Sequence, residues 1–160
     1  MRDSDFEHLV RRHSQDLYAF LLYRTGNHHV AEELVGDTLE RAYRSRERYD
    51  HRRASEKTWL IAIALNRWRD ILRRDGSERA ALERVAAGTS ETNAGMDAID
   101  RRRALLDGLA GLPEAEREVV ALSYGADLTA KQVAEVLELP LPTVQGRLYR
   151  GLRHLRDALD

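Results

Sequence analysis

Residues Leu128 to Arg156 read LTAKQVAEVLELPLPTVQGRLYRGLRHLR, two helical periods on either side of a turn. Thr129 is a helix-capping residue, and Gln132 stands three positions on, the spacing of a capping box. Val133, Ala134 and Leu137 make a short apolar face that stops before Pro140. Pro142 suits the first turn of a second helix. There Val144, Leu148, Leu152, Leu155 and Leu159 keep the helical period, and Thr143, Gly146, Arg147, Arg150 and Arg153 fall on the opposite face. A short helix, a tight turn and a longer helix with an arginine stripe predict a helix-turn-helix. The same pattern also describes an ordinary helical hairpin with a solvated basic face.

The rest of the chain is helical by the same test. Phe6, Leu9, Val10, His13, Leu17, Phe20 and Leu21 keep helical spacing, and Gly26-Asn27 ends that helix. A second helix turns Val30, Ala31, Leu34, Val35, Thr38, Leu39, Ala42 and Tyr43 inward and shows Glu33, Gly36, Asp37, Glu40, Arg41 and Arg44 outward. After the polar, basic loop Tyr49 to Ser55, a third helix from about Glu56 to Arg74 carries Trp59, Leu60, Ile63, Ala64, Trp68, Ile71 and Leu72. Three such helices enclose a small core. Gly76 to Gly95 loses the period and reads as a linker, with a helical turn expected around Glu78 to Val85. A second module opens near Met96 with Ile99, Leu105, Leu106 and Leu109, and Leu112-Pro113-Glu114 restarts a helix bearing Val119, Val120 and Leu122. The expected fold is all-α: two small helical modules, residues 1–75 and 96–160, joined by a linker at 76–95.

Composition sets bounds on chemistry. The chain has 160 residues, is 33% charged and carries a formal net charge of −1, so no global field draws in nucleic acid and any contact must come from local stripes. Lysine occurs only at Lys57 and Lys131; arginine supplies nearly all the positive charge. There is no cysteine, which excludes disulfides, thiolate metal sites and cysteine nucleophiles and fits a reducing cytoplasm. No apolar run is long enough to span a bilayer, and the start of the chain is polar rather than signal-like. The six histidines form no metal-ligand spacing, and no phosphate-binding glycine loop or nucleophile elbow is present. No catalytic constellation or cofactor site is expected.

Two stretches together resemble bacterial sigma factors of the extracytoplasmic-function (ECF) group. TGNHHVAEELVGDTLERAYRSRERYD, continuing through KTWLIAIALNRWRDILRR, is similar to the family's second region. LPEAEREVVALSY, with the helix-turn-helix after it, is similar to its fourth. The resemblance implies a subunit that binds core RNA polymerase and directs promoter-specific initiation. Its second region would dock on the clamp helices of the β′ subunit and capture the melted −10 element; its fourth would read the −35 duplex and rest on the β flap. Carried over by position, Glu33, Gly36, Asp37, Glu40 and Arg41 belong to the polymerase face. Lys57, Asn66, Arg67, Arg69, Arg73 and Arg74 meet the −10 strand, and Thr143, Gln145, Arg147, Arg150 and Arg153 meet the −35 element. An anti-sigma factor is an implied further partner. Taken without the resemblance, Asp37 and Arg41 read as an i,i+4 ion pair on a solvated face, and the two tryptophans as core anchors.

The chain departs from the family pattern in places. Gly36 stands for a glutamine, Glu56 for an aromatic residue, and Ala62 and Leu65 for arginines. Glu138 stands for the turn glycine, Pro140 for a capping serine, and Gln145-Gly146 for a basic-serine pair. Two other functions fit part of the sequence: a stand-alone helix-turn-helix regulator binding duplex DNA as a dimer, and a sigma-like decoy whose partners are proteins only.

Overall fold

In the computed structural model, residues 1–74 and 96–160 are described; the expected linker lies outside them. Among the described residues there are seven α-helices and no strand: α1 (Asp3–Thr25), α2 (His28–Arg44), α3 (Glu56–Arg73), α4 (Met96–Ala110), α5 (Glu114–Val120), α6 (Ala130–Leu137) and α7 (Leu141–Leu159). The all-α reading holds.

The helix ends follow from local chemistry. Gly26 takes the left-handed conformation at φ 72° and returns its N–H to the Leu22 carbonyl, which closes α1. Asn27 next to it caps α2 by accepting from the Val30 N–H at 2.9 Å. Ser55 caps α3 in the same way through the Thr58 N–H. At α6 the capping box forms as expected: the Gln132 N–H donates to Thr129 Oγ1 at 3.1 Å, and the Thr129 N–H donates to Gln132 Oε1 at 2.9 Å.

Helices α1, α2 and α3 pack into a bundle around Leu9, Leu17, Phe20, Leu21, Ala31, Leu34, Leu60, Ile61, Ala64 and Leu65, all buried. Trp68 is buried among them, while Trp59 is only half buried and packs its ring 4.9 Å from that of Tyr49. Tyr43, expected inside, is exposed. It lies against the edge of Phe6 with its hydroxyl donating to Asp3, and the Arg46 guanidinium covers its ring at 3.9 Å. A polar rim therefore holds the ring that hydropathy alone places in the core.

The apolar core does not stop at the first module. Val119, Ala121, Leu122, Ala126, Leu128, Val133, Leu137 and Val144 of the second belong to the same cluster as Phe20 and Leu60. The contact is made at a short π-helical segment, Ala121–Gly125, where the Ala126 N–H reaches back to the Ala121 carbonyl at 3.0 Å. A Cβ placed on Gly125 would stand 2.8 Å from the Phe20 Cα and 3.0 Å from the Ala19 carbonyl oxygen, so only glycine allows this approach of backbone to backbone. A smaller cluster of Leu109, Leu112 and Val120 joins α4, α5 and α7.

Candidate functional site

Helix α2 places Glu33, Gly36, Glu40 and Arg41 on its solvent side, as their spacing requires. Asp37 differs. Its carboxylate accepts from Arg41 Nε at 3.4 Å, the i,i+4 pair foreseen, and from Arg67 Nε of α3 at 2.5 Å. Asp37 is thus a strut between α2 and α3 as well as a member of the outward face. Glu40 is paired to Arg44 at 2.5 Å. At Gly36 an added Cβ would meet nothing within 4 Å, so open space surrounds this position.

The residues expected to meet the −10 strand are divided. Asn66, Arg73 and Arg74 are exposed on α3 or at its end, with Arg73 paired to Asp70. Arg67 faces α2 through Asp37 and is largely covered. Lys57 and Arg69 are engaged by the second module. Lys57 Nζ lies 3.1 Å from Asp16 Oδ2 and 3.0 Å from the Asp127 carbonyl oxygen, and Arg69 Nη2 lies 3.0 Å from Glu118 Oε2.

A cleft of about 450 Å³ opens beside the loop that precedes α3, lined by Asp5, His8, Arg12, Tyr49, His51 and Glu56 with Met1. The loop is fixed from within. Asp50 accepts from the Arg52 N–H at 2.9 Å, which with the Arg52 side chain holds its carboxyl below the ordinary range. Tyr49 donates its hydroxyl to the Ala54 carbonyl at 2.9 Å, and burial, followed by the charges of Glu56 and Asp50, pushes its phenol up. Sequence reading named the loop but not Tyr49 or His51 as lining residues. Their only signal was an aromatic and a histidine amid basic residues.

In the second module, Glu138 ends α6 in the left-handed conformation at φ 57°, where the family pattern has glycine. The Leu139 N–H returns to the Ala134 carbonyl at 3.0 Å, so the turn keeps its geometry despite the side chain. Helix α7 then starts at Leu141 behind Pro140 with no side-chain cap. Its inward face carries Val144 and the buried Gly151, whose missing Cβ would stand 2.9 Å from Val120 Cγ2.

This packing shifts the expected arginine stripe. Arg150 and His154 lean to one edge, where both approach the buried Glu116 of α5, at 3.6 Å and 2.8 Å. Thr143 and Arg147 are half buried; Gln145, Tyr149 and Arg153 are exposed in register. Tyr149 is 68% exposed, the most of any large hydrophobic residue described, and sequence reading passed over it. Its spacing, four after Gln145 and four before Arg153, was the available signal.

These helices match known proteins part by part. Residues 9–78 match the family Sigma-70 region 2, and residues 102–155 match Sigma-70, region 4. The ECF RNA polymerase sigma factor SigK of Mycobacterium sp. (strain KMS) is 30% identical, over 99% of this chain and 85% of that protein. Among solved structures, the sigma factor RpoE in complex with the anti-sigma factor NepR from Bartonella quintana superposes with a TM-score of 0.77, covering 98% of this chain and 97% of that one at 21% identity. CnrH in complex with the cytosolic domain of CnrY gives a TM-score of 0.66 at 26% identity, covering 99% of this chain and 90% of that one. With both regions present in order and a relative 30% identical over 99% of this chain, the chain belongs to the ECF RNA polymerase sigma factors, which direct transcription initiation.

Proposed function

We propose that this chain docks on core RNA polymerase through the outward face of α2 and selects promoters through two further surfaces. Glu33, Gly36, Asp37, Glu40 and Arg41 form the docking face, an acidic patch suited to basic clamp helices of the β′ subunit. Residues 96–160 rest on the β flap. Asn66, Arg73 and Arg74, joined by Lys57, Arg67 and Arg69, serve the −10 strand, because single-strand binding needs backbone cations beside bases held out of the stack. The cleft next to Tyr49 gives such a base a partly aromatic wall. In α7, Gln145 and Arg147 stand near the helix start, where recognition helices meet base edges, with Thr143 beside them. Arg153 holds phosphate, and Arg150 shares itself between phosphate and Glu116. The boundaries 1–75, 76–95 and 96–160 are the working division of the chain. We place the protein in the cytoplasm, acting without catalysis of its own, and an anti-sigma factor is a fitting partner because both modules expose binding surfaces.

The observation that carries this reading is the order of two matched regions on one chain, the second ending in a helix-turn-helix with Gln145, Tyr149 and Arg153 in an exposed row. Transcription with purified core polymerase on candidate promoters tests it. A promoter-specific transcript that requires this chain is the expected result. Duplex binding without core dependence would favour a stand-alone regulator, and core binding without a transcript would favour a decoy.

A further inference from the structure

Glu116, in the first turn of α5, is the one buried carboxylate among the described residues. Its two oxygens are divided between two side chains of α7. Oε2 accepts the Nδ1–H of His154 at 2.8 Å, and Oε1 lies 3.6 Å from Arg150 Nε. A carboxylate shut away from water depends on such partners, so both are drawn to it before any DNA is present. Gly151 sets the closeness of the two helices, since a Cβ there would stand 3.3 Å from Glu116 Cβ and 3.4 Å from its carbonyl oxygen.

Gly146 shapes the other side of the same arginine. A Cβ at that position would stand 3.3 Å from Arg150 Nη1 and 3.9 Å from Nη2, so the guanidinium lies back along α7 over the bare backbone one turn earlier. With Nε turned to Glu116, Nη1 and Nη2 make no hydrogen bond among the described residues, and the side chain is 58% exposed. A guanidinium tied on one edge and open on the other presents the pair of donors that match guanine O6 and N7. A cation serving a phosphate gains little from being fixed, because charge attraction works from many rotamers. Fixing it favours a directional contact, since the rotamer freedom is lost before binding.

We propose that Glu116, braced by His154, is a positioning residue for promoter recognition: it holds Arg150 over Gly146 as the reader of a guanine edge in the −35 duplex and keeps it from acting as a mobile phosphate contact. This rests on the reading of α7 as the −35 helix, and moves Arg150 from the phosphates to a base.

The test uses holoenzyme assembled from core polymerase and the full chain. One promoter duplex is selected from a pool randomised over the −35 element, and a second carries that element scrambled. Glu116→Gln keeps the shape and removes the charge. It should lower the preference for the selected duplex about tenfold, the worth of one bidentate contact. Affinity for the scrambled duplex should rise, with a salt dependence steeper by about one unit of slope, because the released cation takes up a phosphate. Misfolding would lower that affinity instead. Arg150→Ala should lose the same preference, and adding Glu116→Gln to it should change the preference no further. His154→Ala leaves the carboxylate in place but unbraced and should shift the preference the same way by less. Replacing the guanines of the selected element one at a time by 7-deazaguanine, which lacks the N7 acceptor, should find one position that weakens the unsubstituted holoenzyme and leaves the Arg150→Ala variant unaffected. A selected element without guanine overturns the proposal. So does a preference that falls with Arg150→Ala and stands with Glu116→Gln. Equal weakening of both duplexes by Arg150→Ala returns that arginine to the phosphates, and the −35 reading of α7 survives. If Arg147→Ala, Arg150→Ala and Arg153→Ala all leave both affinities as they were, that reading itself falls.

Discussion

At position 36 the open space around an added Cβ means that glycine brings no packing advantage to α2. Gly36→Ala should therefore raise stability by about 1 kcal/mol in chemical denaturation, from helix propensity alone. Gly36→Gln should stabilise somewhat less and, by adding a polar side chain to the docking face, tighten binding to core polymerase in titration. Glu138 presents the opposite case. Its backbone sits in the left-handed region that L side chains avoid, so Glu138→Gly should gain roughly 0.5–1 kcal/mol after the entropy of glycine is subtracted. Loss of stability on that substitution would show that the Glu138 side chain makes a contact outweighing the strain. Asp37 ties the proposed polymerase face to the bundle through Arg67, so Asp37→Lys should lower both thermal stability and core affinity. Glu33→Lys on the same face should lower core affinity alone. The Asp37–Arg41 pair could be foreseen from spacing. The Arg67 partnership, thirty residues distant, had no local signature.

For whole elements, legibility followed distance along the chain. The capping box of α6, the Gly26-Asn27 break and the restart of a helix after Pro113 are short-range chemistry, and each formed where the residues dictated. The face of α7 was harder, because its neighbours are set by tertiary packing. The buried Gly151 draws α7 onto α5, and Glu116 then collects Arg150 and His154 at the edge. Helical spacing could not distinguish an arginine facing DNA from one facing a buried carboxylate. The distinction alters what each substitution does. Arg147→Ala should cost roughly 1–3 kcal/mol on the preferred −35 duplex and little on scrambled DNA. Arg153→Ala should weaken both duplexes alike and flatten the salt dependence by about one unit of slope. Measuring both variants on both duplexes across a salt series separates the roles. Equal losses on both duplexes for Arg147→Ala would move base reading to Gln145 or Tyr149.

Across the whole molecule, the two modules were legible as modules, but their union was not. The contacts that join them, Arg24 to Glu114, Lys57 to the Asp127 backbone carbonyl and Arg69 to Glu118, are made by cations that on a sequence read as solvated surface. Hydropathy likewise gave each half its own core, whereas Phe20 and Val119 belong to one cluster. The glycine- and polar-rich composition of residues 76–95 predicts first cleavage there in limited proteolysis. Because the halves share a core, the nicked chain should still elute as one species in gel filtration under native conditions. It should separate into two helical fragments only in denaturant. Immediate separation after the cut would mean that the seam is too weak to hold without its tether.

The chain has two tryptophans, and they stand at two different places of interest. Trp68 lies inside the first module, with the Arg24 guanidinium 5.9 Å from its ring centre and its indole N–H without a partner among the described residues. Trp59 packs on Tyr49 beside the cleft. Indole emission responds to the polarity and charge around the ring, so each residue is a built-in optical probe of its own neighbourhood. With Trp59 replaced by phenylalanine, the remaining emission reports any change in the charge and packing beside Trp68. With Trp68 replaced instead, it reports what enters the cleft. Two such single-emitter chains would allow changes at the two places to be timed separately in a stopped-flow mixer, without attaching any dye.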